Sequence, residues 1–414
     1  MNEYRKVVVT GMGVVSPVGC DSATAWENLT RGYNGIGPIT RFDTTDYKAT
    51  LAAEVKDFDP LAYMDKNEML RSDRYAHYAM GAAVQAVEES GVIGTLPPER
   101  VAVYFGTGIG GLETLSTEIE KLLTRGPRRV SPLCIPMMIS NMAAGMIAIR
   151  YDCRGPAMPA VTACASSANA IGEAVRLICH GYADAVITGG SEASVVPVGV
   201  AGFTNMKALS TAGDPNAASL PFDARHNGFV IGEGGTALVL EEEEHARARG
   251  AHIYAEAVGY GASCDAYHIT APHPDARGGA AAMADALREA GYRSGEALYI
   301  NAHGTGTPLN DRGETIAIKK ALGEDDAHRA LISSTKSMTG HMLGAAGAFE
   351  AMVCLKVLET GVVPPTINLH EPDAECDLNY VPNEAVQAKV DICLSNSLGF
   401  GGHNASLAFR RVTP

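Results

Sequence analysis

Apolar and polar positions along this chain follow two different periods, and the switches between them mark its elements. Lys6-Val7-Val8-Val9-Thr10 is a near-continuous apolar run closed by Gly11-Met12-Gly13. That is the pattern of a strand buried on both faces. Runs of the same kind occur at 100–105, 185–190, 236–240, 297–300 and 330–332. Between them the apolar spacing predicts helices. One covers 22–30, with Trp26 and Leu29 on one face. A longer one covers 73–90, where Tyr75, Tyr78, Ala79, Ala82, Ala83 and Val87 recur near the helical period. Residues 168–180 read as a helix of small side chains, and 241–249 as a short charged surface helix. Strands alternating with helices predict an α/β fold with a mostly parallel sheet.

The alternation repeats once. The run 101–105 enters a glycine turn and a helix, and a later run enters Thr162-Ala163-Cys164, a small-residue helix and Gly181. In the second half, 297–300 enters Asn301-Ala302-His303-Gly304-Thr305-Gly306-Thr307 and a helix from Asp311. Then 330–332 enters Ser333-Ser334-Thr335-Lys336, a small-residue helix from Leu343, and Gly361. Two such halves pack across a pseudo-dyad and bring the turns of one opposite those of the other. The expected division is 1–250 and 251–414, with an insert in the first half near 115–155.

Length and composition narrow the class. The chain has 414 residues, 46% hydrophobic and 19% charged, enough for a large core. A net charge of −14 argues against a nucleic-acid partner. Nine scattered cysteines with no C-x-x-C pair argue for a reducing, cytoplasmic setting and against a disulfide framework or zinc knuckle. Met1 to Arg5 contain no apolar run, Val7-Val8-Val9 is too short for a signal core, and no stretch reaches membrane-spanning length.

Candidate chemistry lies in the turns. Cys164 falls where a strand meets the small-residue helix. There the helix dipole favours thiolate and would supply a nucleophile at neutral pH; the competing reading is a buried core cysteine. Gly106-Thr107-Gly108-Ile109-Gly110-Gly111 fits a dinucleotide fingerprint, yet a basic turn, 124–129, stands where the companion acid belongs. Ser333-x-x-Lys336 resembles the motif of serine acyl-enzymes without its companion motifs. His303 and His341 each end a strand run, where sites form in open α/β sheets. The glycines of Asn396-Ser397-Leu398-Gly399-Phe400-Gly401-Gly402-His403 allow close backbone approach to a bound group.

Together these windows resemble the β-ketoacyl-acyl carrier protein synthases, the type II elongating condensing enzymes. The likeness spans essentially the whole chain. It rests on Thr162-Ala163-Cys164, Asn301-Ala302-His303-Gly304-Thr305, Ser334-Thr335-Lys336-Ser337-x-Thr339-Gly340-His341, Gly399-Phe400-Gly401-Gly402, Pro221-Phe222-Asp223 and Gly228-Phe229-Val230-x-Gly232-Glu233-Gly234. Gly306 and His403 depart from common family residues.

The resemblance implies a thiolase-like fold with mostly parallel mixed sheets layered αβαβα. It implies an acyl chain on Cys164, decarboxylation of malonyl-carrier protein beside His303 and His341, and an oxyanion hole from the N–H groups of Cys164 and Phe400, with Phe400 also a gate. Lys336 would supply fixed charge, paired with Glu314. Ile109 and Phe203 would line the acyl tunnel, and Thr270, Thr305 and Thr307 would bind substrate, the last two at the pantetheine arm. No metal or organic cofactor is implied. The expected partners are acyl carrier protein, docking on Lys66, Arg71, Arg74, Arg128, Arg129 and Lys207, and a second copy of the chain. A ketosynthase of a type II polyketide pathway is the alternative enzyme. A chain-length-factor-like subunit is the non-enzymatic one; such subunits lack the nucleophile. Thiolases carry a second cysteine where this chain has Phe400.

Overall fold

In the computed structural model, residues 4–412 are described. Met1 to Glu3 of the amino-terminal run, and Thr413 and Pro414 at the end of the second half, lie outside them. Ten strands make one sheet: β1 (Val7–Val15), β2 (Val101–Gly106), β3 (Ala157–Ala160), β4 (Ala185–Glu192), β5 (Gly234–Glu242), β6 (Ala255–Cys264), β7 (Leu298–Asn301), β8 (Leu331–Ser333), β9 (Ile392–Gly399) and β10 (His403–Arg410). Their order is β8-β7-β9-β10-β6-β1-β5-β4-β2-β3. Read outward from the middle, the first half runs 1-5-4-2-3 and the second 6-10-9-7-8, the same order displaced by five. Among the described residues the sheet passes from one half to the other through a ladder of two residue pairs, Val8 with Glu256 and Val9 with Ala255. We propose the division near residue 250 on this ground.

Strand direction differs from the expectation. The outer pairs β2–β3, β2–β4, β7–β8 and β7–β9 are parallel, and the five inner pairs are antiparallel. The sheet is therefore mixed rather than mostly parallel. β9 returns to β10 across the short turn Phe400–Gly402, which suits an antiparallel pair, whereas β4 and β5 pair antiparallel across the longer segment 193–233 with its helix Pro197–Asn205.

Helices fill three layers around it. On the outer face of the first half lies α1 (Arg74–Ser90), whose Tyr75, Tyr78, Ala79, Ala82, Ala83 and Val87 pack on Val101, Val103, Phe105 and Val239. Asp73 caps it, and Gly91 ends it in the left-handed region. Between the halves lie α2 (Ser166–Cys179) and α3 (Ala346–Thr360). Outside the second half, α4 (Arg277–Glu289) covers Leu298, Ile300, Ile392 and Leu394. The central helices face apolar strands on two sides, which explains their small residues. Added to Gly172 of α2, a Cβ would lie 2.3 Å from the Tyr260 ring of β6. Between β2 and β3 stand helices Leu112–Arg125, Cys134–Met138 and Met142–Tyr151. Among the described residues no helix is long and apolar enough to cross a membrane.

The closeness of the layers is testable at Gly172. Alanine is the better helix former by about 1 kcal/mol, but crowding in a packed core costs about 1–3 kcal/mol. Gly172→Ala should therefore lower the urea midpoint at an unchanged slope. An unchanged or raised midpoint would mean the interlayer spacing yields.

Candidate active site

Each half ends its second parallel crossover in the same device. In the first, Ala163–Ala165 forms a single tight turn before α2. Ala163 sits in the left-handed region at φ 50°. Ser166 pins the turn: its hydroxyl accepts the Thr162 N–H at 2.9 Å and donates to the Ala163 carbonyl at 2.6 Å. This geometry holds Cys164 over the start of the helix, buried at 9% exposure. Its sulfur faces the N–H groups of Phe400 and of Cys164 itself.

The expected thiolate is not what this environment favours. Burial pushes the thiol up to about 12, against the opposing pull of Lys336 and of those two N–H groups. The helix dipole argument holds for a partly exposed turn; at a desolvated sulfur the cost of charging wins. The resting group is a thiol.

The second half supplies the imidazoles. His303 follows β7, and Glu314 holds its turn by accepting the His303 and Gly304 N–H groups, each at 2.8 Å. His341 is held by its backbone, donating to the Val230 carbonyl at 2.7 Å and accepting from the Gly232 N–H at 2.8 Å. Its ring stands edge-on to His303, centroids 5.2 Å apart, and lies 5.2 Å from Phe229. A sulfur or ring nitrogen from each of Cys164, His303 and His341 falls within 4.8 Å of the others. Buried and unpartnered are His303 Nδ1 and both ring nitrogens of His341. Burial, reinforced by the Lys336 cation, holds both imidazoles well below 6.5. Both are neutral at physiological pH, so each can donate one hydrogen bond and accept another.

Lys336 is buried, and its partner is not Glu314. Its ammonium pairs with Glu350 of α3. The correction is steric in origin. Glu314 is consumed by backbone donors and by Asn396 at 3.2 Å, while Glu350 projects from the central helix toward Lys336.

These groups open into one cavity of about 490 Å³. Cys164, His303, His341, Phe400, Ile109, Phe203, Thr270, Thr305, Thr307 and Lys207 all line it. Thr305 and Thr307 hydroxyls bond each other at 2.9 Å. Arg74 does not belong with them. It is largely covered, paired with Glu113 at 3.2 Å and Glu233 at 3.7 Å and donating to the Val195 carbonyl. Lys66, Arg71, Arg128 and Arg129 are exposed, as is Lys207 at the mouth. Two motifs also resolve. The N–H groups of Gly108 and Ile109 are taken by the buried Glu192 carboxylate, leaving no phosphate cradle. Ser333 is buried against the Tyr299 hydroxyl at 2.9 Å, so it is no nucleophile. Glu192 and Glu350 were not singled out from the sequence. The signal for each was a lone carboxylate in an otherwise small or apolar run.

With this geometry in hand, comparison with known proteins decides the family. Residues 4–246 match the beta-ketoacyl synthase N-terminal domain and residues 254–370 its C-terminal domain. The chain belongs to the β-ketoacyl synthase family. It is a condensing enzyme of the acyltransferase class with the thiolase-like ketosynthase fold. It is 51% identical over 411 residues, 99% of both chains, to 3-oxoacyl-[acyl-carrier-protein] synthase 2 of Synechocystis. Proteins of the same name from Coxiella burnetii and Staphylococcus aureus are 48% identical over 99% of both chains. Among solved structures, a β-ketoacyl synthase from Burkholderia phymatum superposes with a TM-score of 0.92 at 35% identity, covering 99% of this chain and 100% of that one. A type II polyketide ketosynthase, solved with its acyl-carrier protein, gives 0.90 at 33%, again covering 99% and 100%.

For this condensing enzyme the buried ion pair generates a stability prediction. Glu350→Leu leaves the Lys336 ammonium uncompensated in the core and should cost about 3–5 kcal/mol in denaturant unfolding. Lys336→Met combined with Glu350→Leu should recover most of that loss. A single variant as stable as wild type would show that water reaches the cation.

Proposed function

We propose that this chain elongates fatty acids by decarboxylative condensation of malonyl-carrier protein with an acyl chain held on Cys164. One observation carries the assignment of roles: a thiol, two neutral imidazoles and two inward N–H groups converge on one apolar cavity. Identity supports the fatty-acid reading over a polyketide one, since the relatives named 3-oxoacyl-[acyl-carrier-protein] synthase 2 reach 48–51% while the polyketide ketosynthase stands at 33%. The presence of Cys164 sets the chain-length-factor reading aside.

The thiol of Cys164 attacks the acyl thioester carbonyl. As the S–C bond forms, its proton passes to a neighbouring neutral imidazole and on to the departing carrier thiol, so no free thiolate is needed beforehand. The oxyanion is met by the N–H groups of Cys164 and Phe400. Malonyl-carrier protein then enters, its pantetheine arm along Thr305 and Thr307 and the pocket wall at Thr270. His303 and His341 donate to its thioester oxygen. As carbon dioxide leaves, the electron pair moves into the enolate, and donors already aimed at that oxygen lower the barrier. The enolate carbon attacks the acyl-Cys164 carbonyl; the C–S bond breaks, the departing sulfur takes up a proton from solvent by way of an imidazole to restore the thiol, and β-ketoacyl-carrier protein is released. Burial, reinforced by Lys336, keeps both imidazoles neutral, which this role requires. Ile109 and Phe203 bound the acyl chain. Gly401 and Gly402, at φ 83° and 75°, give the Phe400 turn a conformation suited to a gate.

The partners follow from the same reading. The net charge of −14 cannot attract an acidic carrier protein at long range, so docking relies on Lys207 at the mouth with Lys66, Arg71, Arg128 and Arg129. A second copy fits the open edge of β3, where Met158 and Val161 are half exposed. Nine free thiols suit the cytoplasm.

Cys164→Ala should abolish both acyl loading and condensation, seen by mass spectrometry of the intact protein. His303→Ala and His341→Ala, made singly, should each still load acyl chains, because one imidazole remains to take the thiol proton, but should lose malonyl decarboxylation, for which both donate, by a factor of about 10² or more; the reverse pattern would exchange the roles.

Charge reversal at Arg128, Arg129 and Lys207 should raise KM for acyl-carrier protein severalfold and leave turnover of a small acyl-pantetheine thioester nearly intact. The difference should shrink as salt screens the wild type. Equal losses on both substrates would move the docking surface elsewhere.

A further inference from the structure

The duplicated turns are not equivalent in content. In the second half, Leu343–Ala345 forms the same tight turn before α3 that Ala163–Ala165 forms before α2. Leu343 has φ 48° where Ala163 has 50°. Cys164 therefore corresponds to Gly344. The last residues of β4 and β9 correspond as well, which matches Glu192 with Gly399. In the active half, a Cβ on Gly399 would stand 3.2 Å from the Cys164 nitrogen, so glycine there leaves that N–H open toward the cavity. In the other half Glu192 reaches the Gly344 N–H at 3.1 Å and closes it off. A Cβ on Gly344 would lie 2.1 Å from the Gly108 nitrogen, so a side chain has no room there. The second turn has kept the anion-binding geometry and filled it with an internal carboxylate.

That carboxylate does more than fill space. Glu192 is fully buried. It also accepts from the Gly108 N–H at 2.7 Å, the Ile109 N–H at 3.3 Å and the Thr107 hydroxyl at 3.2 Å. It thus ties two walls of the cavity together, the loop bearing Ile109 and the turn of Leu343 that follows His341. Among the described residues no other carboxylate bridges these segments. Burial pushes it up to about 7 against these donors.

We propose that Glu192 is a positioning residue for the condensation. It acts as a resident anion in the duplicate of the oxyanion turn and fixes Ile109 and Leu343 at the width that admits long acyl chains. This rests on the condensing reading and adds a residue to it. Glu192→Gln keeps the shape, but its NH₂ group must replace either Oε2, which accepts from Gly108 and Gly344, or Oε1, which accepts from Ile109; in either orientation it meets a backbone N–H, donor against donor. The loop and turn must then part.

The test is acyl loading of the intact protein by mass spectrometry, using acyl-carrier proteins of graded chain length. Rates are normalised to the shortest chain and to the folded fraction from thermal melting. Glu192→Gln should lower the relative rate for the longest accepted chains by about tenfold. Thr107→Val, which removes one donor and keeps the volume, should shift the profile in the same direction by less. A profile unchanged in shape, with or without a uniform loss, would overturn the proposal, because a merely structural residue scales all chain lengths alike. If Glu192→Gln does not fold, Thr107→Val decides by the same criterion. Wild-type protein that loads no acyl chain at all would defeat the condensing assignment instead.

Discussion

A cation held out of water beside two imidazoles governs the chemistry of this pocket. Lys336 and Glu350 are both buried, and a buried pair of this kind rarely adds stability compared with apolar residues of the same volume. Its value lies in the field it creates. Burial already makes a charge on either neighbouring ring costly, and the ammonium adds to that cost, so His303 and His341 stay neutral. The same charge draws the Cys164 thiol down against the burial that raises it. Glu350 keeps this charge compensated without standing in the cavity, so the field is delivered to the rings rather than to solvent.

The scaffold explains how such a pocket can be dry and yet open. Each half contributes a turn at the carboxyl end of parallel strands, and the two central helices bring these turns together. Small residues make that approach feasible: a Cβ on Gly347 would lie 2.9 Å from the Ala168 side chain. The nucleophile comes from one half and both imidazoles from the other. Every catalytic distance therefore depends on interlayer packing rather than on one flexible loop, and packed interiors hold such distances tightly.

Much of this was legible from residue pattern. The period switches located β1, β2, β4, β5, β7 and β8 but not β6, β9 or β10, and the twofold recurrence of turn and small-residue helix predicted the pseudo-symmetric halves. Cys164, His303, His341 and Phe400 converge as the family resemblance implies. What failed shares one cause, namely that a sequence does not reveal which carboxylate a buried cation meets or how much water a group retains. Glu314 and Glu350 are each a plausible partner for Lys336, fourteen residues separating the latter pair, and only the three-dimensional path of α3 decides. Arg74 reads as a surface charge near other basic residues, yet the fold turns it inward to Glu233. The thiolate expectation applied a helix-terminus rule to a site whose burial could not be read from spacing. Strand direction lies apart from these side-chain cases: β9 and β10 pair antiparallel across a short turn and β4 and β5 across a long helical segment, and the apolar runs announce neither.

Duplication also clarifies why only one of two matched turns reacts. A tight turn preceding a helix, with its first residue in the left-handed region, presents N–H groups to whatever lies above it. Left empty beneath a thiol, that arrangement awaits the oxyanion of a reacting thioester. Occupied by a carboxylate, it becomes a rigid joint. Gly399 and Glu192 stand at matching strand ends and make this difference between them: the absence of a side chain keeps one N–H available, and a long acidic one consumes its counterpart. Catalytic asymmetry in a pseudo-symmetric fold thus requires two coordinated choices. The active turn needs a nucleophile with nothing in its anion site, and the inactive turn needs an anion with no room for a nucleophile. Because the inactive turn borders the same cavity, its resident anion is placed to shape the substrate that the active one transforms.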